Sequence, residues 1–203
     1  MHGCDAIYGL DIETDTSVDG LDPAVAPVVT AALSTPEGDE VFAGPERELL
    51  AALDDALREL RPGVLATWNG AAFDLPFLAD RAARHGLEVG LTLTLDPTIV
   101  SRRPPLAGHD GAYRARWHGH RHLDAYRLYR GDVGPALRVS CSLKTIARVV
   151  GLAPVEVDRE QIHALPEDVL RDYVVSDARL ARLLTERRWP AAAPFVDPLP
   201  VPG

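Results

Sequence analysis

Ile7-Tyr8-Gly9-Leu10-Asp11-Ile12-Glu13-Thr14 alternates in the manner of a β-strand, and the fold is read outward from it. Asp11 and Glu13 are two residues apart, so they share one face of that strand about 7 Å from each other, while Tyr8, Leu10 and Ile12 take the opposite face. Alone the pair is a weak signal, because Asp11 could end the strand and Glu13 could sit in a solvated loop. Residues 25–33 form a second β-prone run, and residues 39–43 a third behind the turn signal Pro36-Glu37-Gly38-Asp39. Pro45 then opens a helix with Leu49, Leu50, Leu53, Leu57 and Leu60 at helical spacing, closed by Pro62-Gly63. Residues 64–68 read as a strand and 75–84 as a helix stopped at His85-Gly86. Residues 91–124 are irregular and rich in Pro, Gly and Arg, with extended stretches at 113–118 and 120–123 that a turn at Gly119 could join. Ser142 is placed to cap a helix over 143–150, and Pro166 begins a long helix reaching about Arg188. Strands first, then strands alternating with helices, predict an α/β fold with a mixed sheet flanked by helices: one domain over residues 1–189 and a proline-rich tail over 190–203.

A chain of 203 residues that is 46% hydrophobic and 25% charged can bury one substantial core. No stretch approaches the roughly 18 apolar residues of a membrane span, and the start lacks the order of a signal peptide, so a cytoplasmic protein without membrane contact is expected. Cys4 and Cys141 match no metal-ligand spacing and are expected as isolated thiols. The formal charge of −9 argues against a protein that holds nucleic acid chiefly by neutralising phosphates. That objection weakens if carboxylates bind divalent cations, which reverse the local field. Arg102, Arg103, Arg114, Arg116, Arg121, Arg127 and Arg130 gather in the middle third, either to meet a phosphate backbone or as a solvated basic face.

The long helix carries the stronger anomaly. Leu170, Tyr173, Asp177, Leu180 and Leu184 recur at spacings of three and four and form its inward stripe, in which Asp177 is the odd member. A carboxylate facing a core must be paired, protonated or bound to metal. Tyr173 lies one turn earlier on the same face, so its hydroxyl and the Asp177 carboxylate can approach one point. Asn69-Gly70-Ala71-Ala72-Phe73-Asp74 follows a strand and enters a helix, with Asp74 at the expected cap and Pro76 in the first turn.

An acidic pair on a first strand, an Asn-x-x-x-Phe-Asp turn and a Tyr-x-x-x-Asp pair on a late helix, in that order, resemble the DEDD superfamily of 3′-to-5′ exonucleases in its tyrosine-containing (DEDDy) branch. Residues 111–124, with His118-Gly119-His120-Arg121-His122-Leu123-Asp124, and Ser142-Leu143-Lys144-Thr145-Ile146-Ala147 are similar to the proofreading domains of family B DNA polymerases and their free-standing relatives. His120 departs from that pattern, which tends to carry arginine after the glycine. The resemblance covers about residues 6 to 188 and implies a ribonuclease H-like fold with a mixed five-stranded sheet. It also implies two Mg2+ or Mn2+ ions about 3.5 to 4 Å apart. Asp11 would bridge the ions, Glu13 and Asp177 would complete the site that activates water, Asp74 would support the second ion, and Tyr173 would orient the attacking water. Asn69, Phe73, Thr14 and Lys144 are the implied substrate-binding residues. Phe73 could equally be a core aromatic, and Lys144 a surface helix residue. The implied substrate is the 3′ end of a single-stranded nucleic acid, DNA favoured, with a polymerase, helicase or other repair protein as partner. The competing expectations are a catalytically silent nucleic-acid-binding or docking module, an internal nuclease, and a nuclease of small nucleotides or RNA. His118, His120 and His122 alternate and could share a strand face able to ligate zinc or nickel, although alternation produces such a set without any metal. Asp124 is expected to cap the segment 125–129 or to lie near the metals without ligating them.

Overall fold

In the computed structural model, which describes residues 6–99, 104–193 and 196, seven strands build one mixed sheet. Strand β1 (Ile7–Thr14) lies inside the sheet. Strands β2 (Val28–Ser34) and β3 (Asp39–Ala43) extend antiparallel from one side of it. On the other side β4 (Val64–Thr67) pairs parallel with β1. Beyond it come β5 (Leu91–Leu95), β6 (Tyr113–Trp117) and β7 (His120–Asp124), in the order β3-β2-β1-β4-β7-β6-β5. The sheet thus exceeds the five strands expected from the resemblance. Part of the surplus is β5, at the rim: Leu91 and Leu93 are only half-buried and Leu95 is exposed, so no buried apolar run marks it as a strand, and its ladder to β6 is what orders it.

Tyr8, Leu10 and Ile12 bury themselves with the leucines of α1 (Glu46–Glu59) and with Leu75, Phe77 and Leu78 of α2 (Asp74–Arg84). The opposite face of β1 receives the long helix α6 (Glu167–Arg187), whose Val174 and Ala178 pack on Ala32 of β2. Gly9 permits this approach. A Cβ at that position would fall 1.9 Å from the carbonyl oxygen of Ala178, so only glycine lets the helix backbone lie so close to the strand. Asp177 precedes Ala178 and is carried to the sheet by the same contact.

Three short helices follow β7: α3 (Ala125–Gly131), α4 (Val133–Leu137) and α5 (Leu143–Val149). Asp124 caps α3 by accepting the Tyr126 N–H, and Ser142 caps α5 by accepting the Thr145 N–H. Asp74 differs from its expected role. The residue before α2 is Phe73, and Asp74 is the first helical residue, with no side-chain capping bond. Of the segment 190–203, Ala192, at the end of α7 (Trp189–Ala192), and Val196 pack against Val64 and Leu123, while Pro190, Ala191 and Ala193 are exposed. No helix among the described residues is long and apolar enough to cross a membrane.

Candidate active site

Asp11 and Glu13 from β1 and Asp177 from α6 converge, each offering a carboxylate oxygen within 4.8 Å of the others. Glu13 and Asp177 are buried, Asp11 half-buried. Burial, then repulsion from Glu13 and Asp74, raises the Asp11 carboxyl well above the usual range. Burial likewise pushes Glu13 up to about 7, with Arg159 and Lys144 opposing and Asp74 reinforcing. Carboxylates held together at such cost call for a cation, and a cluster that offers oxygen alone fits a hard divalent ion such as Mg2+ or Mn2+. Asp74 stands outside the trio. It too is buried, and burial lifts it to about 7 against the nearby backbone N–H groups of Asp74 itself and Ile12. The structure therefore gathers three of the four expected acids and leaves the fourth near enough for its charge to act on Asp11 and Glu13.

Tyr173 is buried one turn before Asp177, and its hydroxyl makes no well-formed hydrogen bond to a described residue. Burial and then the charge of Glu13 push it up to about 12, so it is a neutral phenol that can donate or accept a hydrogen bond near the acids. Arg159 opposes that shift. It begins a 3-10 helix, Arg159–Ala164, and does not stand out in the sequence, because no periodicity marks a cation in an irregular stretch. The stretch is pinned to α6 and to the loop that follows β1: the Val155 N–H donates to Ser176 Oγ at 3.0 Å, and Thr16 Oγ1 and His163 Nδ1 share a hydrogen bond of 2.9 Å. Lys144, the sole lysine of the chain, points inward from α5 and forms an ion pair with Asp177. Its Nζ also lies 4.4 Å from the centre of the Tyr173 ring, and burial lowers its pKa to about 8.

The turn before α2 is shaped from the side by Asp124. Asn69 adopts φ 74°, and its backbone N–H donates to Asp124 Oδ1 at 2.8 Å, the same oxygen that accepts from Tyr126. Burial raises Asp124 to about 6. Phe73 is half-buried, packs against the main core and meets Phe77 with ring centres 5.4 Å apart. The Thr14 hydroxyl donates to the Gly20 carbonyl at 2.7 Å and thereby closes the loop after β1. The three histidines serve separate contacts. His118 lies in the β6–β7 turn with φ 47° and meets Asp54 Oδ1 at 2.9 Å, His120 Nε2 meets the Leu57 carbonyl at 2.7 Å, and His122 Nε2 meets Thr67 Oγ1 at 2.8 Å. Of the sequence-marked residues, Cys4, Arg102 and Arg103 lie outside the described residues.

A mixed sheet in this order, with an acidic pair on its first strand in sequence and a third acid on the helix crossing that strand, defines the ribonuclease H-like class. Residues 27–146 match the exonuclease domain of DNA polymerase family B, and the chain belongs to that family. The catalytic polypeptide of DNA polymerase epsilon from Saccharomyces cerevisiae is 30% identical over 146 residues, covering 70% of this chain and 6% of that polypeptide. Its counterpart in Eremothecium gossypii is 30% identical over 138 residues, 66% of this chain and 6% of the longer one. A DNA polymerase of Thermococcus aggregans is 27% identical over 154 residues, 73% of this chain and 8% of that polymerase. The chain thus spans a small fraction of the relatives it matches. The family B DNA polymerase of the hyperthermophilic archaeon Pyrobaculum calidifontis shares the fold, with a TM-score of 0.73 over 92% of this chain and 25% of that one at 24% identity. The family match contains Asn69, Asp74, Asp124 and Lys144. Asp11, Glu13, Tyr173 and Asp177 fall outside its span and are brought to it by the fold.

Proposed function

We propose that the chain is a two-metal-ion 3′-to-5′ exonuclease that removes nucleotides from the 3′ end of a single-stranded nucleic acid, with DNA the favoured substrate. The observation that carries this reading is the convergence of Asp11, Glu13 and Asp177, with the buried Tyr173 hydroxyl one turn from Asp177, in a chain of the polymerase exonuclease family. Asp11, Glu13 and Asp177 would hold Mg2+ or Mn2+, with Asp74 supporting from the start of α2. Such ions, when bound, activate water and compensate charge on the departing 3′ oxygen. Tyr173, its hydroxyl pushed up to about 12, would orient the attacking water rather than take its proton. Lys144 supplies positive charge beside Asp177 and can meet a substrate phosphate, and Arg159 brings a second cation to the same side. Asn69 and Phe73, in the turn before Asp74, would line the path of the terminal nucleotides. Thr14 would contribute through the loop that its hydroxyl closes, and a polymerase, helicase or repair protein would deliver the 3′ end.

Stepwise shortening of 5′-labelled single strands of DNA and RNA in Mg2+ or Mn2+ tests this directly. Wild type should shorten both ends-free substrates stepwise, DNA faster, and leave circular or 3′-phosphate-blocked strands largely intact. Asp11→Ala and Asp177→Ala should lose about a hundredfold or more in rate, and Tyr173→Phe about tenfold to a hundredfold. Equal inertness of wild type and the alanine variants on every substrate would overturn the catalytic assignment.

A further inference from the structure

A cavity of about 690 Å³ opens where β6 and β7 part. These strands pair only at Arg116↔Arg121 and Trp117↔His120, although β6 reaches back to Tyr113 and β7 runs on to Asp124. Beyond the two pairs the hairpin splays, and α3 flanks the opening. A second cavity of about 290 Å³ shares Thr98, Asp124, Arg127 and Gly131 with the first and ends on Asn69. Together they form one groove running from the turn before α2 to the splayed strands.

Arginines are concentrated along this groove. Its walls carry Arg114, Arg116, Arg121, Arg127 and Arg130 against Asp96, Asp124 and Asp132, in a protein of net charge −9. Two of those acids are engaged, Asp96 with Arg114 and Asp132 with Arg188. Arg127 and Arg130 form no ion pair among the described residues. They stand three apart on α3, so they project to one side of it. Arg130 lies over the Tyr126 ring at 5.7 Å, and Tyr126, half-buried, lines the same groove. Guanidinium groups spaced along a channel with an aromatic ring among them suit a nucleic-acid strand, whose phosphates take the charges while a base meets the ring.

The geometry points to a single-strand track: the groove from Asn69 past Arg127 and Arg130 holds the phosphodiester backbone of the strand upstream of the end that is cleaved. This rests on the reading of the chain as a nuclease acting on single strands, and it adds the surface that lets an acidic protein hold such a strand. The groove, not the acid cluster, then sets the dependence on strand length and on salt.

The test uses the full chain carrying Asp11→Ala, so that strands survive, and measures anisotropy of labelled oligodeoxythymidylates of about three and about twelve nucleotides over a range of salt, lengths chosen around a single-strand site of roughly 4–16 nucleotides. Replacing both Arg127 and Arg130 by Ala should weaken binding of the long strand about tenfold and lower its logarithmic salt slope by about 1.4, at about 0.7 per lost phosphate contact, with short-strand binding and thermal midpoint unchanged. The Arg127→Lys, Arg130→Lys pair keeps both charges and should retain the slope. Unchanged affinity and slope in the alanine pair, equal losses on short and long strands, or a lysine pair that behaves as the alanine pair would each overturn the track. So would competition by free thymidine monophosphate that disappears in the alanine pair, since that identifies a mononucleotide pocket. Nucleotide release by wild type is scored separately: its absence, with the expected length and salt dependence present, would sink the catalytic reading and leave the track standing.

Discussion

Glu13 shows how a buried acid weakens the fold that carries it. Burial raises its folded-state value from 4.5 to about 7, so the folded chain holds this proton more tightly than the unfolded chain does. The stability gained from that proton is fully present below about pH 4.5 and is lost as pH rises through about 7. Asp11, raised further, and Asp74, raised to about 7, act in the same direction. His122 acts in the opposite direction. Burial lowers it to about 3, so stability rises with pH between about 3 and 6.5, where only the unfolded imidazole is charged. That contribution is common to wild type and Glu13→Gln and cancels in their difference. In chelator, Glu13→Gln should therefore match wild type near pH 4 and become more stable by about 1–3 kcal/mol near pH 8. Saturating Mn2+ should reverse the order at pH 8, because an amide gives a divalent ion no charge to bind. Denaturant titrations across that range measure the difference, and a flat line in chelator would show that Glu13 titrates alike in the folded and unfolded chains.

At the scale of elements, the site depends on how closely α6 lies on β1. Gly9→Ala places a methyl group 1.9 Å from the Ala178 carbonyl oxygen and 3.0 Å from Arg182 Cβ, and the first of these is backbone that cannot turn aside. The helix must shift, at a cost of about 1–3 kcal/mol or more, and Asp177 shifts with it. The expected result is a lower melting temperature together with weaker Mn2+ affinity, whereas Gly38→Ala, which meets nothing within 4 Å, should preserve both. Wild-type melting and Mn2+ binding in Gly9→Ala would show that the close approach is dispensable. The sequence revealed one partner of this contact and concealed the other. Asp177 stood out because a carboxylate interrupted an apolar helical stripe, and Asp11 and Glu13 because two charges shared one face of a strand. Gly9 in a strand reads as a local weakness until the helix that crosses it is known. Asp74 was found through its turn, although it opens α2 instead of capping it, since the backbone before the helix leaves that place to Phe73. Lys144 was marked as a substrate-binding residue, but its ion pair with Asp177 and the reach of Arg159 toward Tyr173 were not legible, because both arise from tertiary approach between segments far apart in the chain.

For the whole molecule, charge is sorted instead of balanced: repelling acids cluster at the junction of β1 and α6, arginines line the groove beyond Asn69, and the sum remains −9. Without divalent ions the cluster has the positive charge of neighbours such as Lys144 and Arg159 to offset it, while burial still raises the carboxyls of Asp11 and Glu13. A cation that binds the folded chain alone must then stabilise it by mass action, about 2.7 kcal/mol at a hundredfold excess over its dissociation constant. For a chain of this length that corresponds to a rise in melting temperature of roughly 5–10 °C. Asp11→Asn should invert the pattern. It removes one of the repelling charges, so in chelator it should melt above wild type, and in Mn2+ it should gain almost nothing and melt below. Differential scanning calorimetry of both proteins with and without Mn2+ reads all four values. If Asp11→Asn gains as much from Mn2+ as wild type does, the ion binds elsewhere, and the strain stored in the acid cluster is not what the cation relieves.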